Sequence, residues 1–197
     1  MAHTILQIDA SARRQDSISR QVTGYLAEQL LSHSDEVIHR DLASTDLPLL
    51  TQAHIQAYYT PADQRTQTQQ ELLHISDQLI AELKSAHQLV IGAPMYNFSV
   101  PAALKAWIDL VCRVGETFVY QEGGPQGLLD IERAFIVVSA GGTPVGSEVD
   151  FNSAYVKQVC HFIGIDEVHI IDVSGSKRDP ETLVDFAREQ VDRLIAS

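Results

Sequence analysis

Hydrophobic and polar positions alternate along this chain in two distinct rhythms. Short, nearly unbroken apolar runs occur at His3–Ile8, Val37–Arg40, Gln88–Ala93, Ala134–Val138 and Val168–Val173. Runs of this length and β-branched content read as strands, and those apolar on both faces read as buried strands of a parallel sheet. Between them the apolar residues recur at helical spacing. Val22, Leu26, Leu30 and Leu31 do so within 17–31, and Leu72, Ile75, Leu79, Ile80 and Leu83 within 66–86. Residues 148–162 and 180–195 follow the same rhythm, and Pro101 sits near the first turn of another helix, where its missing N–H costs little. Thr117–Tyr120 reads as a small extended element, and Gly123, Gly124, Pro125 and Gly127 mark a turn. Residues 43–65 are long for a plain loop and leave room for a short helix at 52–58.

Strands that alternate with helices imply a parallel sheet covered on both faces. The expected fold is α/β, a doubly wound five-stranded parallel sheet of order 2-1-3-4-5. With 197 residues and no linker, repeat or low-complexity tract, residues 1–197 are expected to form a single domain.

Composition narrows the classes. Fourteen Lys and Arg against 26 Asp and Glu give a formal net charge of −12, which argues against a nucleic-acid or anionic-membrane surface. One segment departs from this: residues 11–20 hold Arg13, Arg14 and Arg20 against the lone Asp16. Two cysteines, Cys112 and Cys160, are too few for a disulfide scaffold. No basic region followed by an apolar run opens the chain, so a cytoplasmic location is expected. The histidine pairs His33/His39 and His161/His169 lack metal-ligand spacing, and no metal is expected. No G-x-S-x-G turn marks a hydrolase nucleophile.

In an open parallel sheet, ligands bind beyond the carboxyl ends of the strands. The loop after the first strand has neither a dinucleotide fingerprint nor a P-loop, but it offers hydroxyls at Ser11, Ser17 and Ser19 ahead of a helix. That pattern suits a phosphate, and it equally suits an ordinary helix cap at Ser17. After the third strand, Tyr96 and Phe98 could flank a flat ring while Asn97 meets its polar edge, or both aromatics could belong to the core or an interface. After the fourth, Gly141 and Gly142 either let backbone N–H groups approach a ligand or form a plain turn. Taken together, the three loops describe a mononucleotide with a large flat base, which suggests FMN.

At these residues the sequence resembles the FMN-dependent NADH-azoreductase family, a flavodoxin-like group related to the NAD(P)H quinone reductases. Ser11 with Ser17-Ile18-Ser19, Pro94-Met95-Tyr96-Asn97-Phe98 and Ser139-Ala140-Gly141-Gly142 match its cofactor loops in order and spacing. The likeness continues through Thr117–Tyr120, Gly124–Leu128 and Phe162–Ile165, and residues 43–65 fit least well. The resemblance implies a homodimer with one FMN per subunit. Ser11, Ser17, Ile18 and Ser19 would hold the phosphate, and Met95, Tyr96, Asn97, Phe98, Ser139, Ala140, Gly141 and Gly142 would line the isoalloxazine. Tyr120 and Phe162 would shape the substrate pocket from the partner subunit. NADH would donate a hydride to the flavin N5, and a quinone or azo compound would collect two electrons in a ping-pong cycle that needs no catalytic side chain. Two alternatives stay open: an NADPH-preferring flavin or quinone reductase, and a flavodoxin-type electron carrier.

Overall fold

A computed structural model describes residues 3–31, 36–175 and 179–195. Seven strands and six α-helices follow one another along the described residues. They are β1 (Thr4–Asp9), α1 (Ile18–Leu30), β2 (Glu36–Asp41), α2 (Gln52–Tyr59), α3 (Gln67–Ser85), β3 (Gln88–Gly92), α4 (Ala102–Val111), β4 (Phe118–Gln121), β5 (Gly124–Gly127), β6 (Arg133–Val138), α5 (Ser153–Ile163), β7 (Glu167–Asp172) and α6 (Pro180–Ile195). Five strands pair in parallel in the order β2-β1-β3-β6-β7, the doubly wound arrangement expected from the apolar pattern. No described helix is long and apolar enough to cross a membrane.

The inner strands are apolar on both sides because both sides are covered. Leu6, Ile8, Leu89, Ile91, Ala134 and Ile136 face one way and pack against Leu79, Leu83, Leu104, Trp107 and Ile163 of α3, α4 and α5. Ile5, Val90, Phe135 and Val137 face the other way and meet Val22 and Leu26 of α1 and Leu183, Ala187 and Val191 of α6. Each fully buried aliphatic side chain contributes about 1.5–3 kcal/mol, so these two layers dominate stability. On α3 the buried stripe runs through Leu73, Ser76, Leu79, Ile80 and Leu83, with Leu72 and Ile75 at its margin. Ser76 belongs to it because its hydroxyl donates to the Leu110 carbonyl at 2.5 Å.

Local chemistry sets the remaining elements. The segment 52–59 is helical and capped by Thr51, and Tyr58 stands over the buried Arg113 guanidinium, 5.0 Å from its ring centroid. Gly124–Gly127 is not a turn but the return strand of a hairpin whose two-residue loop is Glu122-Gly123. Its Gly and Pro content hides the strand, yet Gly127 is required for packing. A Cβ there would lie 2.1 Å from the Gly164 nitrogen. Leu129 N–H then donates to the Ile163 carbonyl at 3.0 Å, so the hairpin docks on the end of α5. Both cysteines are buried or partly buried, and burial pushes each thiol up to about 12, which keeps it unreactive at neutral pH.

Helix α5 begins at Ser153 rather than at 148 because Asp150 diverts the chain. Its buried carboxylate accepts hydrogen bonds from the N–H groups of Gly146, Asn152 and Ser153 and from the Ser153 hydroxyl. Burial raises its pKa, but these donors outweigh burial and hold it below the ordinary 3.8.

Two outcomes follow from this packing. Gly127→Ala drives a Cβ into backbone that cannot yield and lowers unfolding free energy by about 3 kcal/mol in a urea titration. Asp150→Asn lowers it by about 1–3 kcal/mol at pH 7. The depressed folded pKa means that the wild-type advantage is full above the unfolded value of 3.8 and is lost as pH falls through the folded value. Urea titrations across that range should therefore show the two proteins converging in acid.

Candidate functional site

The carboxyl ends of β1, β3, β6 and β7 open onto one cleft of about 290 Å³, exposed to solvent on one side. Hydrogen bonds between loops hold its walls together. Met95 N–H donates to the Ser139 carbonyl at 2.8 Å, and Gly175 N–H donates to the Ala140 carbonyl at 3.0 Å. The Tyr96 hydroxyl accepts from the Ala12 N–H at 3.2 Å and lies 3.3 Å from the Ser11 hydroxyl. The loops after β1, β3, β6 and β7 thus form one wall, and Tyr96 is the rivet between the first two.

At one end of the cleft lies the start of α1. Ser17 occupies the N-cap position with an extended backbone, yet its side chain caps nothing. Among the described residues its hydroxyl meets only the Ser19 hydroxyl, at 3.2 Å. By contrast, Thr51 and Thr66 spend their hydroxyls on capping α2 and α3. The first-turn N–H groups of α1 therefore lack both an intrahelical acceptor and a cap. Donors left unspent beside a positive helix end form a corner suited to an anion. The capping alternative for Ser17 does not describe this geometry.

Beyond Tyr96 the loop after β3 makes a strained turn outside the cleft wall. Tyr96 and Ser99 exchange backbone hydrogen bonds at 2.9 and 3.2 Å around Asn97 and Phe98. Both central residues have positive φ, 51° and 72°, as in the primed hairpin turns. Asn tolerates this region and Phe does not, so the turn is held from outside. The clamp is the Asp150 turn. Phe151 N–H donates to the Phe98 carbonyl at 3.0 Å, and the buried Asn152 amide donates to the Ala93 carbonyl at 2.9 Å.

Beside the β3 loop, and bonded to it, the Ser139–Gly142 loop leaves open space. A Cβ added at Gly141 or Gly142 would meet nothing within 4 Å among the described residues. Neither glycine is demanded by the protein's own packing, unlike Gly127. Unspent donors and an open shelf in one cleft fit a phosphate joined to a flat ring system.

Eight expected residues line this cleft: Ser11, Ser17, Ile18, Met95, Tyr96, Ser139, Ala140 and Gly141. Ser19 is buried behind Ser17, while Asn97, Phe98 and Gly142 lie beyond the cleft wall, with Phe98 55% exposed. Tyr120 and Phe162 do not reach the cleft. They belong to an aromatic cluster on the hairpin, where Phe118 lies 5.4 Å from Tyr120 and 4.3 Å from Phe162 between ring centroids. Pro94, which opens the matching motif but has no assigned role, also lines the cleft, as do Arg13, Val173, Gly175 and Leu183, which were not expected there. Applying the strand-end rule to the fifth strand finds Val173 and Gly175. The clamp residues Asp150 and Asn152 carry no such signal. His33 lies outside the described residues.

Comparison with known proteins agrees with this architecture. A protein of Hahella chejuensis described as FMN-dependent NADH:quinone oxidoreductase 1 is 50% identical over 189 residues, covering 95% of this chain and 92% of that protein. A protein of Jannaschia sp. with the same description is 48% identical over 196 residues and covers 100% of both chains. An FMN-dependent NADH-azoreductase from Bacillus anthracis, solved in complex with FMN, superposes with a TM-score of 0.86 at 25% identity, covering 98% of each chain. The family model described as Flavodoxin-like fold matches residues 3–195, and the chain belongs to that family.

Proposed function

We propose that this chain is an FMN-dependent NADH:quinone oxidoreductase that also reduces azo compounds, acting in the cytoplasm as a single-domain subunit of a homodimer. The observation that carries the reading is the cleft itself: an unspent anion corner and an open shelf, cross-braced by hydrogen bonds between loops. The names of the relatives support the choice of FMN, NADH and quinone, and that of the structural neighbour supports azo compounds.

Ser11, Ser17, Ile18 and Ser19 supply hydroxyl and N–H donors to the phosphate. Met95, Tyr96, Asn97 and Phe98 bound one side of the ring system, and Ser139, Ala140, Gly141 and Gly142 bound the other. The N–H groups at Gly141 and Gly142 stabilise negative charge on the ring as fixed dipoles. When bound, FMN supplies the hydride chemistry, passing two electrons from NADH to the acceptor in a ping-pong cycle. The side chains position and shield. Among the described residues, the cleft lining contains no His, Lys, Asp, Glu or Cys to activate a serine, so a hydrolase reading lacks its base.

Exposed apolar residues favour the homodimer. Phe98, Phe151 and Val149 are 55%, 61% and 48% exposed on the turn after β3 and the 149–151 segment bonded to it, and Tyr120 is 68% exposed on the hairpin. A second subunit covers these apolar side chains and brings its Tyr120 and Phe162 to the substrate.

The test is an absorbance spectrum followed by anaerobic titration. Flavin bands that bleach with NADH and return with a quinone are expected. A flavin that NADH leaves oxidised points to a carrier or to NADPH, and a protein that takes up no FMN overturns the reading. Gly141→Ala separates ligand space from protein packing. It leaves the thermal midpoint unchanged while weakening FMN binding about tenfold.

A further inference from the structure

The one basic stretch of this acidic chain holds three arginines with three different fates. Arg20 is largely buried and fully engaged. It pairs with Asp41 at 2.5 Å and with Asp9 at 3.9 Å. It also donates to the carbonyls of Ser11 at 2.8 Å and Arg13 at 3.1 Å. Arg14 is tied away from the cleft by a bond to the Ala43 carbonyl at 3.1 Å. Among the described residues the guanidinium of Arg13 has neither an ion pair nor a hydrogen bond, and Arg13 lines the cleft.

The backbone of Arg13 is nevertheless fixed. Its N–H donates to the Ser11 hydroxyl at 3.2 Å, and its carbonyl is held by Arg20. It is the only ionised side chain among the described residues lining the cleft, in a chain of formal net charge −12. It shares that cleft with Ser17 and Ile18, where the donors of α1 are unspent. Those donors are neutral, and they offer a dianion no countercharge. A guanidinium supplies one, in a planar fork that matches phosphate oxygens two at a time.

We propose that Arg13 binds the phosphate of the bound mononucleotide and is the residue that makes this site prefer a phosphorylated flavin to riboflavin. The proposal rests on the FMN reading above. It assigns the basic segment a task that neither the fold nor the hydroxyl motif explains. Arg20 acts as a positioning residue for the same loop, since it pins the carbonyls of Ser11 and Arg13 away from the ligand.

The experiment titrates the full chain, freed of flavin, with FMN and separately with riboflavin. Arg13→Gln should lose about tenfold in FMN affinity and keep its riboflavin affinity within about twofold. Arg13→Lys should recover part of the loss, keeping the charge without the fork. Arg14→Gln removes the same charge one residue away and should change FMN affinity by less than about twofold. The FMN affinity of the wild type should also weaken more steeply with salt than that of Arg13→Gln. Equal losses for FMN and riboflavin, equal losses in the two glutamine variants, or no loss at all would each overturn the proposal while leaving the FMN reading intact. A higher KM for NADH at unchanged FMN affinity would overturn it too, and would move Arg13 to the phosphates of the donor. A wild type that binds neither flavin sinks the FMN reading, and this proposal with it.

Discussion

A carboxylate buried at the end of a central strand must be fully satisfied, and Asp9 is such a group. It is 2% exposed at the carboxyl end of β1. Thr23 donates to it at 2.7 Å, His39 at 2.8 Å and Gln7 at 3.1 Å, with Arg20 at 3.9 Å. Stripping a buried ion of its partner costs about 3–5 kcal/mol, so this array constrains everything around it. Gly92 on the neighbouring strand stays bare because a Cβ would come within 2.9 Å of the Asp9 carboxylate. Arg20, brought in by Asp9 and Asp41, then reaches up to the carbonyls of Ser11 and Arg13. Asp41 answers in kind: burial raises its pKa, yet the Arg20 hydrogen bond and the Ala43 N–H hold it below the ordinary value. The core polar array therefore sets the conformation of the loop that lines the cleft at Ser11 and Arg13.

The loop after β3 is held by a separate device with the same logic. Phe98 sits at a φ of 72°, a conformation costly for a bulky residue. It persists because Asp150 folds its own turn and delivers the Phe151 N–H and the Asn152 amide to the loop. Tyr96 joins this loop to the first. A change at Asp9 or Asp150, neither of which lines the cleft, thus reaches the site through hydrogen bonds. Rigid placement of this kind is what alignment of a hydride donor and acceptor requires.

Much of this was legible from residue order. Leu89-Val90-Ile91 and Phe135-Ile136-Val137 are apolar on both faces, and only a doubly covered parallel sheet accommodates that. The strand-end rule then located Ser11, Ser17, Met95, Tyr96 and Gly141 together in space, which spacing alone did not guarantee. Other features were hidden for physical reasons. Gly124-Pro125-Gln126-Gly127 has the composition of a turn, and it is a strand only because the hairpin packs on Gly164. The start of α5 was misplaced because the chain at 148–152 is helical in hydropathy but answers to the Asp150 carboxylate. Tyr120 and Phe162 match pocket positions in sequence, yet within one chain they cluster on the hairpin, away from the cleft.

The central claim is that one sheet edge holds a mononucleotide with its phosphate at the start of α1 and its ring between the Met95–Phe98 and Ser139–Gly142 loops. Electron density from crystals grown with FMN tests it most directly. The account predicts phosphate density within hydrogen-bond distance of the Ser17 and Ser19 N–H groups, with planar density over Gly141. Well-ordered FMN elsewhere on the chain, or a phosphate seated away from α1, would contradict it.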